Sequence, residues 1–303
     1  MNPRAPLSFL PAPIRGAIAL ALLCTNTLFW TIPLVALALV KLALPLAPVR
    51  KRIDPLLNSI ASCWIACNSG WMRLTQSSVW HVHGLPAGKR RNGWFLVNCN
   101  HQSWADIFVL QHLLNRRVPM LKFFLKQELI YVPVIGLAWW SLDFPFMKRH
   151  GKATLRRNPE RRADDALATR RACRKFELVP TSVMNFAEGT RFTRDKQRKQ
   201  HSPYRHLLKP KAGALALTLQ SMGSKFDSMI DVTIAYSPGV PGFWDFLCGR
   251  VERIGVNIRE LPVPEALCTG DWSSDAAYRA RFQQWLAQLW QEKDELLDSL
   301  LAA

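Results

Sequence analysis

Hydrophobic and polar positions divide this chain into three regimes. From 16 to 40 no charged residue interrupts a run of mostly Leu, Ala, Val and Ile; it resumes after Lys41 and ends at Pro48, before Arg50-Lys51-Arg52. The run exceeds the ~20 apolar residues that a transmembrane helix needs. As a single helix, 14–46 would measure ~50 Å against a bilayer core of ~30 Å, and Pro33 lies near its middle. Two geometries are open: one tilted span, or two short helices that enter one leaflet and return. A cleaved signal peptide fits less well, because its apolar core would be only about 7–15 residues. Residues 1–53 are therefore expected to form a membrane anchor and 54–303 the functional domain. Segment 55–72 is also uncharged, but its Asn, Ser and Cys content predicts a helix on the membrane surface or against the domain.

Beyond it the period alternates. Apolar runs, several of them rich in Val and Ile, predict strands at 79–83, 94–99, 181–186, 230–236 and 253–258, each near Gly, Pro or Asn. Helical spacing predicts helices at 104–114, 126–140, 161–176 and 210–220. Tyr278, Phe282, Trp285, Leu286, Leu289 and Trp290 recur at three- and four-residue intervals, predicting an amphipathic closing helix over 276–301. The alternation implies an α/β domain in which helices cover a sheet.

Charge adds the next constraint. Lys and Arg number 40 against 22 Asp and Glu, a net charge of +18, while 49% of residues are apolar. That excludes a disordered chain. The dense charge beyond Arg149 excludes a polytopic membrane protein. Seven cysteines without a Cys-x-x-Cys pair argue against a disulfide framework. Cys63 and Cys67 lack a completing ligand pair, so no metal is expected. Lys41, Arg50, Lys51 and Arg52 outnumber Arg4 and Arg15, which places the C-terminal side of the anchor in the cytoplasm. Clusters at 148–162 and 191–211 suit an anionic phospholipid surface, a coenzyme A phosphate or an acidic acyl carrier protein. Without a recognisable binding motif, nucleic acid is not the expected partner.

Two loops could carry chemistry. The strand at 94–99 runs into Asn100-His101-Gln102-Ser103-Trp104-Ala105-Asp106. A His at the carboxyl end of a strand lies where open α/β sheets place their sites. Asp106, in the first turn of the next helix, can reach the imidazole and stabilise it after it takes a proton, an arrangement for a general base. The plainer alternative makes Asp106 a helix-start acid and His101 a loop residue. The strand at 181–186 ends in Ala187-Glu188-Gly189-Thr190-Arg191-Phe192. Gly189 permits a tight turn whose N–H groups face an anion, and Arg191 offers a planar fork for phosphate oxygens. Glu188 is expected to hold Arg191 or a substrate hydroxyl. An ordinary surface turn is the alternative.

Four blocks in order resemble the 1-acylglycerol-3-phosphate acyltransferase family of glycerolipid acyltransferases. They are Asn100-His101 with Asp106; Lys122 to Lys126 through Pro133, Gly136 and Phe146-Met147-Lys148-Arg149; Phe186 to Phe192; and Asp231 to Tyr236, preceded by Leu208 to Gly213. The resemblance covers roughly 79–236 and implies a mixed sheet covered by helices. Within the family, Trp104-Ala105-Asp106, Pro145 to Arg149 and Trp290 to Asp294 look closest to an enterobacterial branch at the bacterial inner membrane, with its catalytic domain on the cytoplasmic face. Thr233 departs from the proline of many bacterial members and looks like a branch that includes lysophospholipid-remodelling enzymes.

The resemblance implies that His101 takes the proton of a lysophospholipid hydroxyl as it attacks an acyl thioester, with Asp106 orienting it. Arg149 and the Glu188, Gly189, Thr190, Arg191 turn would bind the acceptor phosphate; Asn100, Lys122 and Lys126 would be further substrate contacts. The donor would be acyl-CoA or acyl carrier protein, without cofactor or metal. Competing readings are a lysolipid acceptor bearing a headgroup, a membrane-anchored nucleic-acid-binding protein without catalysis, and a hydrolase with water in place of the lipid hydroxyl.

Overall fold

The computed structural model describes residues 5–86, 92–147 and 161–302, the side chains of 161–166 excepted. Arg149 and its neighbours Lys148, Lys152, Arg156 and Arg157 lie outside the described residues, as do the side chains of Arg161 and Arg162.

The sheet is built around β2 (Trp94–Cys99), whose apolar run suits a strand buried on both faces. Parallel neighbours flank it, β6 (Thr181–Phe186) on one side and β7 (Ser228–Ser237) on the other. Beyond β6 lies β3 (Leu121–Phe123), also parallel. Beyond β7, β8 (Arg253–Leu261) runs antiparallel, and β1 (Val79–His83) closes that edge parallel to β8. The order β1-β8-β7-β2-β6-β3 is therefore a mixed sheet, and all five predicted strands belong to it.

Alternation along β2 divides the core. Phe95, Val97 and Cys99 face α2 (Ala47–Thr75) and α3 (Ala105–Leu114) with Trp71, Met72, Val109 and Leu110. Leu96 faces the opposite layer, formed by α5 (Arg161–Phe176), α7 (Ala212–Met222) and α9 (Ala276–Ala302). The C-terminal pattern is accounted for by Tyr278, Phe282, Leu286, Leu289 and Trp290, which α9 buries against that layer.

The helix expected over 126–140 does not form as one piece. Leu125–Lys126 (β4) pairs instead with Phe146–Met147 (β5); a 3-10 turn follows at Gln127–Tyr131, and helix α4 occupies only Ile135–Ser141. Pro133 pushes Val132 into extended backbone. Val134 then sits at φ 65, ψ −61, and the Ile135 N–H donates to the Pro133 carbonyl at 2.7 Å. That is a γ-turn, which ends any helix entering it. Gly136 is required just after it, since a Cβ there would lie 2.3 Å from the Ile130 carbonyl oxygen.

The N-terminal apolar run forms one helix, α1 (Ala12–Ala43), rather than two short ones. Pro33 removes only one N–H, and the helix continues through it. The chain reverses after Ala43, and α2 runs back along α1, continuous across the expected boundary at residue 53. α1 is long and apolar enough to cross a membrane. Yet both its ends touch the domain. At one end a Cβ on Gly16 would meet Cys248, and Arg15 reaches the Thr75 carbonyl. At the other, Lys41 pairs with Asp54 at 3.1 Å and Asp143 at 2.5 Å. Midway, Asn26 donates to the Trp64 carbonyl and to Asn68. α1 therefore lies along the domain, and Lys41, counted among the flanking cations, is an internal ion-pair partner. The outward face of α1 carries Leu28, Phe29, Ile32, Leu39 and Leu42, each more than half exposed.

Candidate active site

Register brings the two candidate loops together. Cys99 pairs with Phe186 on one side and Val232 on the other, so β2 and β6 release their following residues at one level of the sheet. Asn100 leaves β2 with its amide committed: Nδ2 donates to the Ile234 carbonyl at 2.9 Å, and Oδ1 accepts the Ile234 N–H at 2.8 Å. Fully buried, it carries the β2–β7 attachment one residue further and offers nothing to a substrate.

His101 follows. Its Nδ1 lies 2.9 Å from Asp106 Oδ2, and that oxygen also accepts the N–H groups of Gln102 at 2.7 Å and Ser103 at 3.0 Å. Oδ1 accepts the Tyr236 hydroxyl at 2.7 Å. The carboxylate is wholly buried, so every interaction it makes is free of competing water. As an acceptor from three other donors, it places the imidazole proton on Nδ1 and leaves Nε2 as the acceptor. The ring is held flat by Phe186, with centroids 4.0 Å apart at 18°. Among the described residues no hydrogen bond joins the imidazole to a Ser or Cys side chain, and the pair has the geometry that a general base and its orienter need. Burial drives the nearby Cys99 thiol well above its ordinary range.

Glu188 does not face a ligand. Its carboxylate is fully buried and accepts the His101 N–H at 2.9 Å and the Leu208 N–H at 3.2 Å. Burial pushes its carboxyl up to about 8, the two N–H donors pulling the other way. The expected contact with Arg191 or a substrate hydroxyl is thus replaced by a clamp that fixes the His101 backbone. A second tie runs from the Phe192 N–H to the His101 carbonyl at 2.8 Å.

The turn itself is exposed at Gly189, whose φ of +67 lies where glycine is favoured. Lys196 donates to both the Thr190 hydroxyl and the Arg191 carbonyl at 2.9 Å, holding the turn closed. Arg191, solvent-exposed, lies over the Trp104 ring at 4.6 Å. Trp104, Arg191 and Lys196 border a groove of about 780 Å³ that Arg205, Tyr236 and Phe243 also line. The remaining expected contacts stand elsewhere. Lys122 is buried beside Asp54 and Asp143 in a separate cavity, and Lys126 is exposed on the β4–β5 ladder.

Sequence reasoning passed over three contributors: Tyr236, Lys196 and the stacked Phe186. It also left Thr233 unexplained. The Thr233 hydroxyl accepts from Lys293 of α9 at 3.1 Å, and the same amine reaches the Val232 carbonyl at 2.7 Å and Asp231 at 2.9 Å. The threonine therefore answers a buried lysine of the closing helix.

A His–Asp pair thus stands at the carboxyl end of a parallel strand, beside a cationic turn. The sequence profile of the Acyltransferase family matches residues 80–237, more than half of the chain, and the chain belongs to that family. It is 26% identical over 247 residues to the 1-acyl-sn-glycerol-3-phosphate acyltransferase gamma of Mus musculus, covering 77% of this chain and 58% of that protein. It is 24% identical to the 2-acyl-1-lysophosphatidylinositol acyltransferase of Saccharomyces cerevisiae, covering 66% and 59%. The chain thus spans less than two thirds of these curated relatives. Among solved structures, the 1-acyl-sn-glycerophosphate (LPA) acyltransferase PlsC of Thermotoga maritima aligns over 93% of this chain and 97% of its own, with a TM-score of 0.46 and 18% identity.

Proposed function

We propose that the protein transfers an acyl chain from an acyl thioester, acyl-CoA or acyl carrier protein, to the free sn-2 hydroxyl of 1-acylglycerol-3-phosphate, forming phosphatidic acid. The observation that carries this reading is the 2.9 Å contact of His101 Nδ1 with the buried, four-fold hydrogen-bonded Asp106. Nε2 takes the hydroxyl proton as the lipid oxygen attacks the thioester carbonyl carbon. The tetrahedral oxyanion then collapses, the carbon–sulfur bond breaks, and the imidazolium returns the proton to the leaving thiolate. Asp106 stabilises the imidazolium between these steps. The reaction needs no metal or cofactor beyond the thioester itself. Arg191, exposed at the groove, would grip the acceptor phosphate, with Arg149 as a second cation.

A lysolipid acceptor with a headgroup is the second reading, supported by the relative named for lysophosphatidylinositol. Placement in the YihG-type enterobacterial branch rests on the motifs alone. We place the outward apolar face of α1 in the cytoplasmic leaflet of the bacterial inner membrane, with the Arg50-Lys51-Arg52 cluster at its anionic headgroups.

Purified protein offered oleoyl-CoA and a panel of lysophospholipids, with products identified by mass spectrometry, tests the acceptor. Phosphatidic acid as the main product is expected. Arg191→Lys should raise KM for lysophosphatidate roughly 10- to 150-fold and leave the thioester KM unchanged, because Lys cannot offer two fixed donors to a phosphate monoester. A diacyl diester as main product would move the assignment to the second reading.

A further inference from the structure

A second cationic site lies where the helical hairpin meets the domain. Lys122 on β3 is 6% exposed, and among the described residues its amine has no hydrogen-bond or ion-pair partner. It looks into a cavity of about 80 Å³ that Arg50, Asp54, Asp143, Lys175 and Leu178 also line. The two carboxylates there are already bridged by Lys41. Three cations, Arg50, Lys122 and Lys175, thus line a space the size of one small oxyanion whose two carboxylates are already paired with a fourth, Lys41. A largely desolvated ammonium group beside two further cations is costly to hold, and a ligand anion would reduce that cost. The surroundings say where the anion comes from. Leu178 is 67% exposed at the lining, and Leu44 and Leu46, each at least half exposed, occupy the α1–α2 turn just before Arg50. A free ion would gain nothing from these apolar neighbours, whereas acyl chains would cover them.

From this geometry we infer that the cavity seats the phosphate of an anionic diacyl phospholipid, with Lys122, Arg50 and Lys175 as its donors and the apolar turn under its acyl chains. This would fasten the hairpin to the domain through a membrane lipid. It stands apart from the acyl-transfer reading, because neither His101 nor Arg191 lines this cavity. Burial pushes the Lys122 amine down to about 8, Asp143 and Asp54 opposing it, so it remains protonated at neutral pH and ready for an anion.

The test is native mass spectrometry of the full chain in mild detergent, titrated with dioleoyl-phosphatidylglycerol or dioleoyl-phosphatidylcholine, with inorganic phosphate as competitor. Wild type should retain one phosphatidylglycerol at least about tenfold more tightly than phosphatidylcholine, as one charge-assisted contact supports. Lys122→Met should lose that preference, while Lys199→Met, which removes the same charge from exposed α6 (Arg194–Lys199), should change affinity less than about twofold. If Lys122→Met does not fold, the pair Arg50→Gln and Lys175→Gln, both on exposed helix positions, should give the same loss. Unchanged binding in the cavity variants would overturn the assignment. So would equal losses in Lys122→Met and Lys199→Met, which would mean diffuse surface attraction. Complete displacement of the lipid by inorganic phosphate would overturn the lipid source.

Discussion

Asp106 concentrates four acceptor contacts in one buried carboxylate, which makes it the residue whose chemistry separates orientation from structure. Asp106→Asn turns one oxygen into a donor facing donors, and the amide cannot stabilise an imidazolium. The rate should fall by about 10²–10⁴-fold. Tyr236→Phe removes one neutral donor and leaves the His101 contact intact. It should cost about 1–3 kcal/mol of stability through the buried acceptor left short of a partner, yet keep most of the turnover of the folded protein. Steady-state kinetics beside thermal melts distinguishes the two. Equal rate losses in both variants would show that Asp106 acts only by packing. The His101–Asp106 pair was legible because it is local, five residues within one strand-to-helix turn. Tyr236 was not, since it reaches Asp106 across 130 positions and only the β2–β7 register joins them. Glu188 was misplaced for a related reason. A carboxylate at a Gly turn reads as exposed, but the parallel β2–β6 pairing turns it inward onto the His101 amide.

Elements with a clean period were read correctly and those with a broken one were not. The five strands followed from apolar runs, several rich in Val and Ile, beside Gly, Pro or Asn. The stretch 126–140 has helical spacing, yet its apolar positions cannot show that Pro133 and Val134 turn the backbone. α9 was read as an amphipathic closing helix, and its polar Lys293 was given no structural role. In the fold that lysine is fully buried and tied to Asp231, which Arg259 and Asn98 also hold. Removing one partner from such a buried network leaves an undercompensated charge. Lys293→Met should therefore destabilise the protein by about 3–5 kcal/mol. Turnover per folded molecule should change little, because the amine's hydrogen bonds and ion pair all go to Asp231, Val232 and Thr233 of β7. Urea unfolding followed by tryptophan fluorescence measures the first, and activity normalised to folded protein the second. A stability loss under about 1 kcal/mol would mean that Arg259 and Asn98 suffice to hold Asp231.

For the molecule as a whole, α1 lies flank-on to the domain with its apolar side turned out, and the proposed membrane attachment rests on that side. The run of apolar residues announced the helix. Its docking could not be read, because the polar contacts that fix it, Asn26 with Asn68 and Lys41 with Asp143, join distant segments. Wild-type protein should resist extraction from membranes by alkaline carbonate. Replacing Leu28, Phe29, Ile32 and Leu39 together by Asn should release it, while the melting temperature in detergent holds, since these side chains touch solvent rather than the core. A released wild type would show peripheral attachment. The central claim is that His101 removes the proton of the incoming hydroxyl, and its most direct test is acyl transfer from oleoyl-CoA to 1-oleoyl-lysophosphatidate by wild type and His101→Ala side by side. The account predicts phosphatidic acid from the wild type and about 10²–10⁴-fold less from His101→Ala, with closely similar melting temperatures. Activity of a folded His101→Ala above about a tenth of wild type would contradict it.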